Sequence, residues 1–147
     1  VDASSDPSIK LIIPGNLEFL RVVDRVSDTV ADQMGFGEDE RDAIAISVIE
    51  ASTNAIQHGC GCNQAKNVVI SYEMEGDLLK VTVLDPGAGF DPECMKCQLD
   101  EAAVEPRGRG LAIIKSLMDE VVFGFEGGTS VTMIKRRNSV SSEKTGT

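Results

Sequence analysis

A carboxylate, a carboxamide and an imidazole stand four residues apart in Glu50-Ala-Ser-Thr-Asn54-Ala-Ile-Gln-His58. At helical spacing all three project from one face. The neighbouring Ile44, Ile46, Val48, Ile49, Ala51, Ala55 and Ile56 are apolar, which predicts a buried helix with polar groups emerging from it. Such groups cost free energy in the interior unless they meet a partner or a ligand. The set offers a proton acceptor, a neutral oxygen ligand for a hard cation and a titratable ring. The plainer alternative is a helix whose polar stripe faces solvent.

Two glycine motifs lie downstream. Leu78-Leu-Lys-Val-Thr-Val-Leu84 alternates and reads as a strand running into Asp85-Pro-Gly87-Ala-Gly89. An acid at a strand end beside two glycines suits an acceptor held where a ligand can approach the backbone, and Pro86 stiffens that loop by fixing φ. Arg107-Gly108-Arg109-Gly110-Leu111 then opens the periodic helix Leu111-Ala-Ile-Ile-Lys-Ser-Leu-Met118. Free N–H groups and the positive dipole end at such a start suit a phosphate. Either glycine motif alone would mark only a turn. The three motifs in this order make a far stronger signal than any one of them.

Asn54, Asp85-x-Gly87-x-Gly89 and Gly108-x-Gly110 resemble the N, G1 and G2 boxes of the Bergerat-fold (GHKL) ATPases. Within that superfamily, Glu50-Ala-x-x-Asn54-Ala-x-x-His58-Gly59 and Leu117-Met-Asp-Glu-Val121 most resemble the bacterial anti-sigma-factor serine/threonine kinases. The resemblance implies ATP and Mg²⁺ as cofactors, and a sigma factor and an anti-sigma-factor antagonist as protein partners. It implies that Asp85 accepts from the adenine amino group and that Thr129 lies near the base. Gly87, Gly89, Gly108, Gly110 and Leu111 would line the nucleotide, and Arg107 or Arg109 would reach its phosphates. Asn54 offers a carbonyl oxygen to Mg²⁺, which keeps waters and takes phosphate oxygens as its other ligands. Glu50, one turn earlier, can take the proton of an incoming hydroxyl. That hydroxyl is a partner's serine in the resembled kinases and water in the ATPases. A nucleotide-holding switch that sequesters a partner without phosphotransfer, and a detached histidine-kinase-type catalytic module, remain alternatives.

His58 is the one histidine in the chain. It could touch substrate, but a satisfied ring near a helix C-terminus is commoner. Self-phosphorylation on a histidine of a dimerisation helix is thereby disfavoured. Cys60, Cys62, Cys94 and Cys97 form C-x-C and C-x-x-C pairs, the second with metal-ligand spacing. They read either as reduced thiols or as a metal or redox cluster.

The elements that must position these groups read as strand, two helices, two strands, helix, two strands. Ile9–Ile13 forms the first strand, stopped by Pro14-Gly15, and Asn16 caps the next helix. Phe19, Val22, Val23, Val26 and Val30 supply the core-facing side of that helix, which Gly35 ends. Val68–Met74 pairs with Leu78–Leu84 as a hairpin, and Val121–Phe125 precedes Thr129–Ile134 across Gly127-Gly128. The expected fold is a two-layer α+β sandwich, a mixed sheet covered on one face by helices, as in the histidine-kinase-like ATPases. Residues 8–135 form the single domain, with loose termini at 1–7 and 136–147, and 90–106 reads as a lid. A chain of 147 residues suffices for one core. A formal charge of −10 argues against nucleic acid. With neither a membrane-length apolar run nor a leader pattern, a cytoplasmic protein is expected. A homodimer is left open.

Overall fold

The computed structural model describes residues 7–61, 63–86, 111–124 and 128–138. Five strands form one sheet in the order β1-β2-β3-β5-β4, where β1 is Ser8–Pro14, β2 Asn67–Glu75, β3 Leu78–Asp85, β4 Glu120–Gly124 and β5 Thr129–Arg136. Helices α1 (Leu20–Met34) and α2 (Glu38–Asn54) lie between β1 and β2, and a helix over residues 111–117, α3, precedes β4. No helix among the described residues is long and apolar enough to cross a membrane.

Period-two alternation decides which sheet face is covered. Val68, Ile70 and Tyr72 of β2, Leu79, Val81 and Val83 of β3, and Val131 and Met133 of β5 are buried in the common core. Lys10, Ser71, Thr82, Thr132 and Val122 stand in register on the opposite face. The helices bring Val23, Val30, Ile44, Val48 and Ile56 to the core. The two-layer α+β class expected from the sequence is the architecture found.

The pairing differs from the expected mixed sheet, because every neighbouring pair is antiparallel. Two helices between β1 and β2 return the chain to the end it left, so β2 runs against β1. Strands β3 and β4 do run the same way, but β5 inserts between them and pairs antiparallel with both. The apolar pattern is alike for both pairing modes, and only the strand order separates them.

Two side-chain expectations change as well. Val22 is 41% exposed and Ile46 is 47% exposed, because each falls off the inward arc of its helix while Val23 and Val48 occupy it. Helix boundaries track the caps. The Asn16 side chain accepts from the Glu18 N–H, opening a short 3-10 turn (Leu17–Phe19) ahead of α1. Gly35 closes α1 with φ +86°, and its N–H donates to the carbonyls of Ala31 and Asp32. Glu38, Asp39 and Glu40 fill the first turn of α2, where negative charge suits the helix dipole.

The end of β5 ties the helical layer together. The Arg137 guanidinium donates to the Met34 carbonyl at the C-terminus of α1 (2.8 Å), and the Lys135 ammonium to the Leu117 carbonyl at the end of α3 (2.8 Å). The Arg136 N–H donates to Asp119 at 2.6 Å, and the Asn138 N–H to Glu40 at 2.9 Å. Residues 136–138, assigned to a loose tail by their polarity, therefore belong to the fold. Cations on helix C-termini neutralise carbonyls that have no partner within the helix. Residues 139–147 and 1–6 lie outside the described residues.

Among the described residues, a buried polar contact spans the layers: the Ser27 hydroxyl and the Tyr72 phenol are 2.8 Å apart, both fully buried. Burial pushes the Tyr72 phenol up to about 12, against a smaller opposite effect of the Ser27 hydrogen bond. A folded-state value above the unfolded one means this stability is complete below about pH 10 and is lost as pH rises toward 12. Each pH unit in that window costs about 1.4 kcal/mol. Tyr72 is the one tyrosine and the chain lacks tryptophan, so ultraviolet absorbance titrates it directly. Ionisation should coincide with alkaline unfolding, and Tyr72→Phe should remove that pH dependence while costing about 1–3 kcal/mol through the stranded Ser27 hydroxyl.

Candidate nucleotide site

Where β3 ends and β5 begins, the sheet and the last turns of α2 diverge around a cavity of about 360 Å³. Ala51 and Asn54 of α2, Ala55 after it, Val83 and Asp85 of β3, Leu111 of α3, Phe123 of β4, and Thr129 and Val131 of β5 line it. Alanines on the helix leave room between helix and sheet where larger side chains would close it. Asp85 and Thr129 are register partners across β3 and β5, so a carboxylate and a hydroxyl stand side by side in a slot whose other lining, apart from Asn54, is apolar. Asp85 is only 5% exposed and is engaged with the surrounding protein. A planar heteroaromatic ring with an N–H donor on its edge fits both the apolar walls and the acceptor.

The helix that carries the polar triad changes its winding inside the motif. After Asn54, residues Ala55–Gly59 form a π-turn, and the Cys60 N–H donates to the Ala55 carbonyl at 2.9 Å. An inserted residue of this kind is frequent at functional sites. It breaks the 3.6-residue rhythm that places Glu50, Asn54 and His58 on one face. Of the three, only Asn54 lines the cavity. Glu50 stands one turn back along α2, half-exposed, and His58 lies within the π-turn and is engaged with a partner.

The turn also brings backbone against the buried acid. A Cβ built on Gly59 would fall 2.5 Å from each carboxylate oxygen of Asp85. Gly128, at φ +132°, backs onto the main chain of the same residue: a Cβ there would overlap the Asp85 carbonyl oxygen and come 2.9 Å from the Pro86 carbonyl carbon. By sequence, Gly59 reads as a helix end and as the last residue of the Glu50-to-Gly59 motif, with no tie to Asp85, and Gly128 reads only as a turn residue. Val83, Phe123 and Val131 likewise read as core or strand residues, and Ala51 and Ala55 as apolar helix residues within the motif. Their common signal, a small or apolar side chain, is shared with the rest of the core and could not have singled them out.

Of the residues expected at the site, the structure brings together Asn54, Asp85, Leu111 and Thr129. Gly87, Gly89, Arg107, Gly108, Arg109 and Gly110 lie outside the described residues. So do Cys62, Cys94 and Cys97, the prospective partners of Cys60, which is itself buried against Gly15. Among the described residues, no group of three or more histidine, cysteine or acidic side chains could hold a metal. The Asn54 carboxamide supplies the kind of hard neutral oxygen that Mg²⁺ takes when phosphates and waters fill its other positions. The Lys115 ammonium lies 5.8 Å from the centre of the Phe123 ring. A wider, open hollow of about 660 Å³ at the far end of β5 holds Asp119 and Glu120 but none of the residues expected to contact the nucleotide.

The histidine kinase-like ATPase domain family matches residues 13–135. A serine-protein kinase RsbW from Bacillus licheniformis is 30% identical over 142 residues, covering 88% of this chain and 86% of its own. The serine-protein kinase RsbW of Bacillus velezensis (strain DSM 23117 / BGSC 10A6 / LMG 26770 / FZB42) is 32% identical with the same coverage. Among solved structures, the RsbU and RsbW domains of Rv1364c from Mycobacterium tuberculosis superpose with a TM-score of 0.67 at 19% identity. That match spans 89% of this chain and 32% of the other, and it is a likeness of fold.

The aromatic wall of the cavity is open to a direct test. Phe123→Ala should weaken binding of a fluorescent adenine nucleotide by about 0.5–1.5 kcal/mol, the usual worth of an aromatic stacking contact. A fluorescence titration measures it, with thermal melting to show that the sheet survives.

Proposed function

The chain belongs to the histidine kinase-like ATPase domain family and has RsbW serine-protein kinases among its relatives, and on that premise we propose that it is an ATP-dependent protein serine/threonine kinase. The observation that carries the proposal is the pairing of Asp85 with Thr129 inside an apolar slot that also reaches Asn54. Asp85 accepts from the exocyclic amine of adenine, with Thr129 beside it. Val83, Val131, Leu111 and Phe123 exclude water from the ring. Asn54 stands toward the phosphates and would hold Mg²⁺ through its side-chain oxygen, and the bound cation would neutralise phosphate charge.

Glu50 stands one helical turn from Asn54, at the phosphate side of the slot. In the proposed reaction a partner's serine oxygen bonds to the γ-phosphorus and the bond from that phosphorus to the β,γ-bridging oxygen breaks. ADP leaves, and the serine proton passes to the Glu50 carboxylate. Alignment supplies more of the rate than the strength of the base, since phosphoryl transfer is largely dissociative. Arg107 or Arg109 and the N–H groups around Gly108 and Gly110 complete the phosphate contacts in this reading, with Gly87 and Gly89 beside the nucleotide.

The partners proposed are a sigma factor, bound and regulated, and an anti-sigma-factor antagonist, phosphorylated on serine or threonine, in the cytoplasm. This finer assignment is supported by the Glu50-to-Gly59 motif and by the RsbW relatives.

Two sets of variants test the site. Asp85→Asn replaces an acceptor by a group that is half donor, and should weaken ATP binding by about 1–3 kcal/mol. Calorimetric titration of the folded variant reads this directly, and unchanged affinity would refute the placement of the base. Glu50→Gln should leave ATP binding intact while partner phosphorylation falls, whereas Asn54→Ala should impair both. The assay incubates the protein with labelled ATP and a cell extract, then treats the labelled product with acid. Acid-stable label supports transfer to serine or threonine, acid-labile label indicates histidine as acceptor, and nucleotide binding without any transfer indicates a switch.

A further inference from the structure

Resting on the proposed nucleotide site, we infer that Gly59 is a positioning residue that sets the site's selectivity for the base, by giving the Asp85 carboxylate a backbone wall to lie against. Among the described residues, the ladder and two glycines confine Asp85. Its own backbone is in the β3–β5 ladder opposite Thr129. Its carbonyl and the following peptide are backed by Gly128, whose φ of +132° and lack of a side chain permit that approach. Its carboxylate occupies the volume that a side chain on Gly59 would need, with both oxygens 2.5 Å from the position of the missing Cβ.

The π-turn is what delivers Gly59 to this place. With ordinary α-helical winding from Asn54 onward, residue 59 would sit at a different angle around the axis. The extra residue per turn lets Asn54 face the cavity while Gly59 backs onto the acid five residues later. One helix segment thus presents the proposed cation ligand and immobilises the proposed base acceptor. A carboxylate wedged in this way cannot rotate freely or withdraw. It offers a fixed acceptor edge, which rewards a base bearing an amino group there and penalises one that lacks it.

The test compares ATP with purine riboside triphosphate, which differs by loss of the 6-amino group. Wild type should bind ATP about tenfold or more tightly. Gly59→Ala, by displacing the carboxylate, should bring the ratio of the two dissociation constants down by about fivefold or more. A purely structural role for Gly59 would weaken both ligands alike and leave the ratio unchanged, which would overturn the inference while the nucleotide site stands. Absence of ATP binding by wild type would instead overturn the site and the inference together.

Melting temperatures supply the second arm. Gly59→Ala should lower Tm by about 5 °C or more in the wild-type background and by under about 2 °C in Asp85→Ala, where the volume has been vacated. Should Gly59→Ala alone not fold, Gly59→Ala/Asp85→Ala should. Equal destabilisation in the two backgrounds, or a double variant that also fails to fold, would overturn the inference.

Discussion

A carboxylate at the end of a central strand, sunk to 5% exposure between two side-chain-free stretches of backbone, is the constraint on which this site depends. A buried charge is tolerated only when its surroundings supply polar contact, and steric confinement then decides where it points. Gly59 confines the carboxylate, and Gly128 the backbone carbonyl of the same residue. Neither could carry a side chain without moving Asp85. The apolar slot beside the acid arises from the same geometry, since Ala51 and Ala55 keep the helix from filling the space that the strand end opens.

The sheet order explains how remote segments converge there. Strand β5 pairs with both β3 and β4, so Thr129 is brought opposite Asp85 and Phe123 lies one strand further out. At the other end of the same strand, Lys135 and Arg137 hold the carbonyl ends of α3 and α1. Strand β5 therefore anchors the helical layer at one end and lines the cavity at the other. Cavity and basic end are separated by the length of the strand, which leaves helix anchoring and the proposed ligand recognition to different residues.

Much of this was legible in the chain. Alternation in β2 and β3, the Gly76-Asp77 connection between them, and the inward arc of α1 each derive from a period that a linear sequence displays. The polar motif positions were legible too, because Asn54 and Asp85 interrupt apolar runs and such interruptions need a cause. Gly59 and Gly128 were not legible as site residues. A glycine after a helix and a glycine before a strand look the same whether they end an element or back onto a carboxylate. The π-turn was equally hidden, since nothing in Ala55-Ile-Gln-His58-Gly59 distinguishes it from ordinary helical winding.

By itself, the sequence determined the elements, the buried faces and the order of the polar motifs, all of which rest on contacts between residues near in the chain. Tertiary structure alone decided that the sheet is antiparallel throughout, that residues 136–138 lock the helices, and that Asn54 rather than Glu50 or His58 lines the cavity. It also decided that Asp85 is wedged between two glycines 69 positions apart, Gly59 and Gly128. The physical reason is common to all four. Pairing order, helix anchoring and close packing depend on distances between segments remote in sequence, and a local period carries no record of which remote backbone will occupy the space beside a given side chain.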